Sequence, residues 1–359
     1  MSTLISSSLK VSSVELLASQ SDRRRTERLP TPIELRARVP LRQSIAQQIG
    51  DHRRAIRDVL SGADHRLLVV VGPCSLHDEA SALEYAERLS DLSARVESEL
   101  LIVMRAYVEK PRTTVGWKGM VYDPHLDGRG DMAEGLLRSR RLLMRLAEMG
   151  LPLATEILQP MVAGYLDDLL SWAAIGARTS ESQVHREMVS GLDMPVGFKN
   201  GTDGSVTIAS DAMRSASMPH QHFGIDASGH PAVVETTGNP DTHLVLRGGQ
   251  GGPNFDAQSV ALACNGLQKQ GVEPRIMVDC SHANSGKDPG RQPHVLAEVV
   301  GQRIEGNGAL RGVMLESHLQ DGAQSIDGPR AYGVSITDGC LGWDNTERVL
   351  LETAMRLRG

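Results

Sequence analysis

The sequence predicts an α/β fold, a (β/α)8 or TIM barrel, from three observations: eight short apolar runs recur along the chain, segments of helical periodicity separate them, and a polar or ionisable residue stands at or just after the end of each run. The runs are RLLVVVGP (66–73), LLIVMRAY (100–107), LPLATEI (151–157), AAIGART (173–179), PVGFKN (195–200), HLVLRGG (243–249), RIMVDCS (275–281) and GVMLES (312–317). Strands apolar on both faces and alternating with helices belong to a parallel sheet covered on both sides. Eight such units suggest closure, with an open doubly wound sheet as the runner-up.

In chain order, residues 1–40 are polar at first, then carry the basic run SDRRRTER (21–28) and the Pro-punctuated LPTPIELRARVP (29–40), which reads as an extended arm. Leu41, Ile45, Ile49, Ile56, Val59 and Leu60 recur at helical spacing up to Gly62. Residues 1–62 therefore form an extension, expected to serve assembly or regulation, ahead of a catalytic barrel of residues 63–359. One unit is irregular. Between a helix near 205–217 and the run at 243 lies HFGIDASGHPAVVETTG, two alternating segments around the turn-forming DASG. It predicts a β-hairpin at about 220–236, inserted before strand six, with regulation or assembly as its expected use.

A net charge of -6 argues against nucleic acid or an anionic membrane as partner, since both call for a basic face. No apolar run reaches membrane-spanning length and the first residues lack a signal-peptide pattern, so a cytoplasmic protein is expected. Four cysteines in a chain of 359 residues make no disulfide framework, leaving thiols or metal ligands. Cys264 falls in a helical pattern and reads as packing, while Cys280 and Cys340 lack ligand spacing. Only six of the 38 basic residues are Lys, and four of those (Lys110, Lys118, Lys199, Lys287) lie in Gly-rich or polar segments after apolar runs.

Active-site groups in a barrel come from the C-terminal ends of strands and the loops beyond them. The sequence places Cys74 after the first run, Arg105 and EKPRTTVGWKG (109–119) after the second, and Glu156, Arg178, Lys199 and Arg247 after the third to sixth. His282 and Glu316 follow the seventh and eighth. Arg105, Lys110, Arg112, Arg178, Lys199 and Arg247 supply six positive charges, a set suited to phosphate and carboxylate groups. Cys74, His282, Glu316 and Asp338 form a mixed ligand set that suits Mn, Fe, Co or Zn better than Mg or Ca. The alternative is a buried thiol, a core histidine and carboxylates paired with arginines.

Seven blocks occur in order: GPCSLHD (72–78), EKPRTTVGWKG (109–119), GARTSESQVHRE (176–187), GFKNGTDG (197–204), LRGG (246–249), DCSHANSGK (279–287) and SITDGCLGW (335–343). In them the chain closely resembles the class I, microbial-type DAHP synthases, from about Leu41 to the C-terminus. The resemblance implies a metal-dependent condensation of phosphoenolpyruvate with erythrose 4-phosphate to 3-deoxy-D-arabino-heptulosonate 7-phosphate (DAHP), the first step of the shikimate pathway. It assigns one divalent ion to Cys74, His282, Glu316 and Asp338. It puts phosphoenolpyruvate against Arg105, Lys110, Glu156, Ala177, Arg178, Lys199 and Arg247. Erythrose 4-phosphate falls to Lys110, Pro111, Arg112, Thr113 and Asp338. Lys110 is the implied proton donor, with a metal-bound water as its rival, and Cys74 and His282 complete the catalytic set.

Family members are commonly inhibited by an aromatic amino acid at a site built from the arm, the hairpin and nearby loops. Asp193 stands where phenylalanine-sensitive members carry Ser, and the hairpin is nearer the tryptophan-sensitive ones; the inhibitor is left open. A homo-oligomer, dimer or tetramer, is expected. Two other readings are a related synthase using arabinose 5-phosphate, against which EKPRTTVGWKG counts, and an inactive barrel kept for regulation.

Overall fold

Helix α1 (Pro32–Arg38) opens the computed structural model, which describes residues 26–359; the polar start and the SDRRR of the basic run lie outside the described residues. The expected extended arm is corrected by this helix. Thr31 caps it, taking the Glu34 N–H at 3.3 Å while the Glu34 carboxylate takes the Thr31 N–H at 2.8 Å. Pro32 occupies the first turn, where its missing N–H costs nothing. The prolines that suggest an extended chain therefore flank a helix of about two turns and start it.

Helix α2 (Gln43–Ser61) matches the apolar spacing and stops at Gly62, whose φ of 85° suits glycine. Its Ile56, Val59 and Leu60 plug the floor of the barrel against Leu68, Val70, Val103, Met277 and Met314.

Every predicted strand forms. In chain order they are β1 (Leu67–Gly72), β2 (Leu100–Arg105), β3 (Leu153–Glu156), β4 (Trp172–Ile175) and β5 (Val196–Lys199). The predicted hairpin follows as β6 (His220–Ile225) and β7 (Pro231–Thr236), and then β8 (Thr242–Leu246), β9 (Ile276–Asp279) and β10 (Leu310–Glu316) complete the barrel. All barrel neighbours are parallel and the ring closes β1-β2-β3-β4-β5-β8-β9-β10, back to β1. The (β/α)8 reading holds and the open sheet does not. Outside run α3 (Glu79–Val96), α4 (Met132–Glu148), α5 (Pro160–Leu166), α6 (Gln183–Ser190), α7 (Val206–Ala216), α8 (Ala257–Lys269), α9 (Gln292–Ile304) and α10 (Trp343–Arg358).

The lower interior is closely packed. A Cβ on Gly197 would lie 2.6 Å from Val245 and 2.7 Å from Trp172, so the large indole is accommodated by a residue without a side chain. His243 of β8, also buried there, accepts from the Trp172 indole at 3.3 Å, while Arg105, Glu156, Lys199, Asp279 and Glu316 all stand at the C-terminal ends of their strands.

The extension is tied to the barrel by Arg140, which is fully buried on α4. Its guanidinium forks onto Asp168 at 2.7 and 2.8 Å and donates to the carbonyls of Tyr165 and Val39 at 2.8 and 3.0 Å. The Ile33 N–H reaches the Ala227 carbonyl in the hairpin turn at 3.0 Å, so extension and insertion meet. Among the described residues no helix is long and apolar enough to cross a membrane.

Candidate active site

The strand ends converge on one cavity of about 350 Å³ at the C-terminal mouth, within the range of small-molecule sites. All six predicted cations line it, as do Glu156, Ala177, Pro111, Thr113, His282, Glu316 and Asp338. The sequence treats the cations alike; their environments differ. Arg105 has no exposed surface: its guanidinium lies 3.9 Å over the Tyr107 ring and donates to Glu316 at 3.1 Å and to the Met314 sulfur at 2.9 Å. Lys110 and Lys199 are also buried. Arg112 and Arg178 are exposed at the rim, where Arg178 donates to Thr113 Oγ1 at 3.0 Å, and Arg247 is half-buried between the two groups.

Cys74, Glu316 and Asp338 present ligand atoms within 4.8 Å of one another. Lys110 Nζ lies among them, 2.7 Å from the Cys74 sulfur, 3.3 Å from Asp338 and 3.9 Å from Glu316. Burial pushes the Cys74 thiol up to about 12, with Glu316 and Asp338 adding to the rise against Lys110 and Arg105. Burial also raises Asp338, but Lys110 and His282 outweigh it and hold the carboxyl at about 2. A buried sulfur beside two carboxylates draws positive charge, which the Lys110 ammonium supplies here, and thiolate, imidazole and carboxylate together fit a borderline divalent ion.

His282 lines the same cavity but stands outside that three-residue group. Its Nδ1 is 2.9 Å from Asp279 and 2.7 Å from Ser281 Oγ, leaving Nε2 as the nitrogen available to a ligand. Its φ is 54°, and Lys287 in the same loop has 64°, conformations rarely held by residues other than glycine unless the surroundings enforce them.

Sequence reasoning misses three supporting residues. Asp279, fully buried at the end of β9, takes Lys199 Nζ at 3.0 Å, His282 Nδ1, and both the N–H and hydroxyl of Ser281. Burial would raise its carboxyl, yet His282 and Lys199 hold it well below the usual range. Gln292 fixes the backbone of Glu316 through both ends of its amide, at 2.8 and 2.9 Å. Asn200 receives the Arg247 N–H at 2.8 Å. Only Asp279 carried a signal, as the single acidic residue in its strand, next to CSH.

A sequence profile of the DAHP synthetase I family matches residues 37–351. The Tyr-sensitive phospho-2-dehydro-3-deoxyheptonate aldolase of Escherichia coli K12 is 52% identical over 334 residues, covering 92% of this chain and 94% of that protein. The Trp-sensitive enzyme of Enterobacter agglomerans is 49% identical over 337 residues, covering 92% and 97%. The solved structure of the Francisella tularensis SCHU S4 phospho-2-dehydro-3-deoxyheptonate aldolase superposes with a TM-score of 0.91 at 42% identity, covering 93% of this chain and 98% of that one. With its seven sequence blocks, its closed barrel and these likenesses along nearly its whole length, the chain belongs to the DAHP synthetase I family.

Proposed function

We propose that this chain condenses phosphoenolpyruvate with erythrose 4-phosphate and water to DAHP and phosphate. The observation that carries the reading is the meeting of the fully buried Cys74 with Glu316, Asp338 and the Lys110 ammonium, the last three lining a cavity that also takes in Arg105, Arg112, Arg178, Lys199 and Arg247. Arg105 and Lys199, desolvated and preorganised, suit the carboxylate and phosphate of the smaller anion. Arg112 and Thr113 at the rim suit the sugar phosphate, while Arg178, beside Thr113, and the half-buried Arg247 complete the set for phosphoenolpyruvate. Holding two mutually repelling anions in attack geometry is an orientation effect worth several kcal/mol.

A divalent ion on Cys74, His282, Glu316 and Asp338 would supply Lewis-acid polarisation of the aldehyde. The enol carbon C3 attacks the aldehyde carbon, and the alkoxide that forms takes a proton from Lys110. Burial pulls the Lys110 amine down, but Cys74, Glu316 and Asp338 outweigh it and keep it charged. Water then adds at C2, the proton it releases restores the Lys110 ammonium, and phosphate departs as its bond to C2 breaks and the C2 carbonyl forms. An inactive barrel retained for regulation is disfavoured, because the buried charges Arg105, Lys110, Lys199, Asp279 and Glu316 are all kept and held in mutual contact around the cavity.

Residues 1–62 and the hairpin form, on this reading, the assembly and regulatory element of a homo-oligomer, inhibited by an aromatic amino acid. The Tyr-sensitive and Trp-sensitive relatives support the effector class. Asp193 pairs with Arg53 and Arg57 of α2 at 3.3 and 2.8 Å, joining the extension to the segment before β5.

The test is phosphate release from phosphoenolpyruvate with erythrose 4-phosphate and, separately, with arabinose 5-phosphate. Release with the four-carbon sugar is expected. Preference for arabinose 5-phosphate, or release without any sugar, would overturn the assignment.

A further inference from the structure

Glu109 immediately precedes Lys110, yet the mechanism above gives it no part. Its residue is 2% exposed, and among the described residues no Lys, Arg or His pairs with its carboxylate. Three donors converge on it instead. The Tyr122 hydroxyl donates to Oε1 at 3.0 Å, and the N–H groups of Leu158 and Gln159 donate to Oε2 at 3.3 and 3.5 Å. The Leu158 carbonyl meets His185 Nε2 at 2.8 Å, and His185 Nδ1 meets Ser182 Oγ at 2.9 Å at the start of α6.

This chain of contacts joins the loops that follow β2, β3 and β4, all of which line the cavity. Within the first loop, Lys110 N–H reaches the Lys118 carbonyl at 2.8 Å and Val121 N–H the Val108 carbonyl at 3.3 Å. Gly119, at φ 113°, permits that closure, since a Cβ there would fall 2.3 Å from the Val108 oxygen. The segment carrying Lys110, Arg112 and Thr113 is thus a braced unit. Glu109 accepts from Tyr122 within its own loop and from Leu158 and Gln159 in the loop after β3, so its two carboxylate oxygens bridge the two loops.

We propose that ionised Glu109 is a positioning residue, a clasp that holds the loop bearing Lys110 against the loop after β3 and so fixes the reaction geometry. The proposal rests on the functional reading above. Three converging donors suit a carboxylate; a protonated acid would accept more weakly, and of these neighbours only the Tyr122 oxygen could take its hydrogen, by turning its own hydrogen away from Glu109. Burial pushes the Glu109 carboxyl up, and the like charge of Glu156 on β3 adds to this, while Tyr122 and the two amides pull it down; the balance is about 7. The other charged groups around it are Lys118, 5.9 Å over the Tyr122 ring, and Lys110, whose ammonium is engaged with Cys74. The clasp is therefore set to loosen as pH falls through neutrality.

The experiment measures kcat and both KM values of the metal-loaded enzyme, with melting temperature, from about pH 6 to about pH 9. It compares wild type with Glu109→Gln, an isosteric mimic of the protonated acid, and with Tyr122→Phe. Wild-type kcat should fall on the acid side of about 7. Glu109→Gln should lose that inflection and lie roughly ten- to a hundredfold lower at alkaline pH, with KM changed less than kcat. Tyr122→Phe should move the inflection upward, because the ionised form loses a donor. Superimposable profiles for wild type and Glu109→Gln would overturn the proposal, as would a wild-type inflection surviving in that variant. If Glu109→Gln fails to fold, Tyr122→Phe decides, and an unmoved inflection refutes the clasp. Wild type unable to condense the two substrates would defeat the functional reading itself, a result distinct from equal activity of wild type and variant.

Discussion

Replacing Asp279 with Asn keeps the shape of a fully buried side chain and removes one charge, which makes it the sharpest probe of the network beneath the site. Asn can still accept from Ser281, but its amide would present N–H groups to Lys199 Nζ and His282 Nδ1, which lie at 3.0 and 2.9 Å. Breaking a buried ion pair by removing one partner costs about 3–5 kcal/mol, because the remaining charge is left in low dielectric. Disturbing the group that orients a metal-ligating histidine costs roughly ten- to a hundredfold in metal affinity. The sign of the pH dependence follows from the depressed Asp279 carboxyl: its stabilisation is present above the ordinary carboxylate value of about 4 and is lost as pH falls below it. The difference between wild type and Asp279→Asn should thus be full near neutrality and shrink in acid. Urea denaturation in chelator gives the stability, metal titration the affinity, and the KM for phosphoenolpyruvate reports on Lys199. A variant within about 1 kcal/mol of wild type, with unchanged metal affinity, would refute the argument, since surface substitutions alone stay near that size.

Glu109→Gln should stabilise the protein as it slows it. A carboxyl displaced from 4.5 to about 7 binds protons more tightly folded than unfolded, so wild-type stability declines as pH rises through that interval, by roughly 3 kcal/mol. The variant has no such decline and should be the more stable at alkaline pH; a pH-independent difference would contradict this. Lys110→Arg keeps the charge but places a planar fork where a compact ammonium sits 2.7 Å from sulfur. A fall in kcat of roughly a hundredfold or more is expected, and near-normal turnover would remove Lys110 from the proton transfer. Arg140→Met removes the fork that ties Val39 and Asp168 together and should cost about 3 kcal/mol. Limited proteolysis should then cut faster near Val39, and an unchanged cleavage rate would count against Arg140 as the anchor.

The strands were legible because a covered parallel sheet leaves no polar face: runs such as LLVVV and IMV have no other stable placement in a chain of this kind. The site was legible in outline for the same reason, since a barrel gathers strand ends whatever their separation, and Cys74 and Asp338 meet although 264 residues apart. What the sequence concealed depends on distances. Arg105 and Arg178 read as equivalent cations, yet one is sealed against Tyr107 and Glu316 and the other is at the rim. Asp279 and Gln292 look like ordinary polar residues until the fold sets them behind His282 and Glu316. Helix α1 escaped notice because Pro30, Pro32 and Pro40 outweighed the Thr31–Glu34 box.

The central claim, that Cys74, His282, Glu316 and Asp338 serve one divalent ion in a condensation, is tested most directly by following phosphoenolpyruvate in the presence of erythrose 4-phosphate, with and without a strong chelator. The account predicts consumption matched by phosphate release, loss of turnover in chelator, and recovery when a divalent transition ion is restored in excess. Turnover that persists in chelator, or a Cys74→Ser variant with full activity and full metal content, would contradict it.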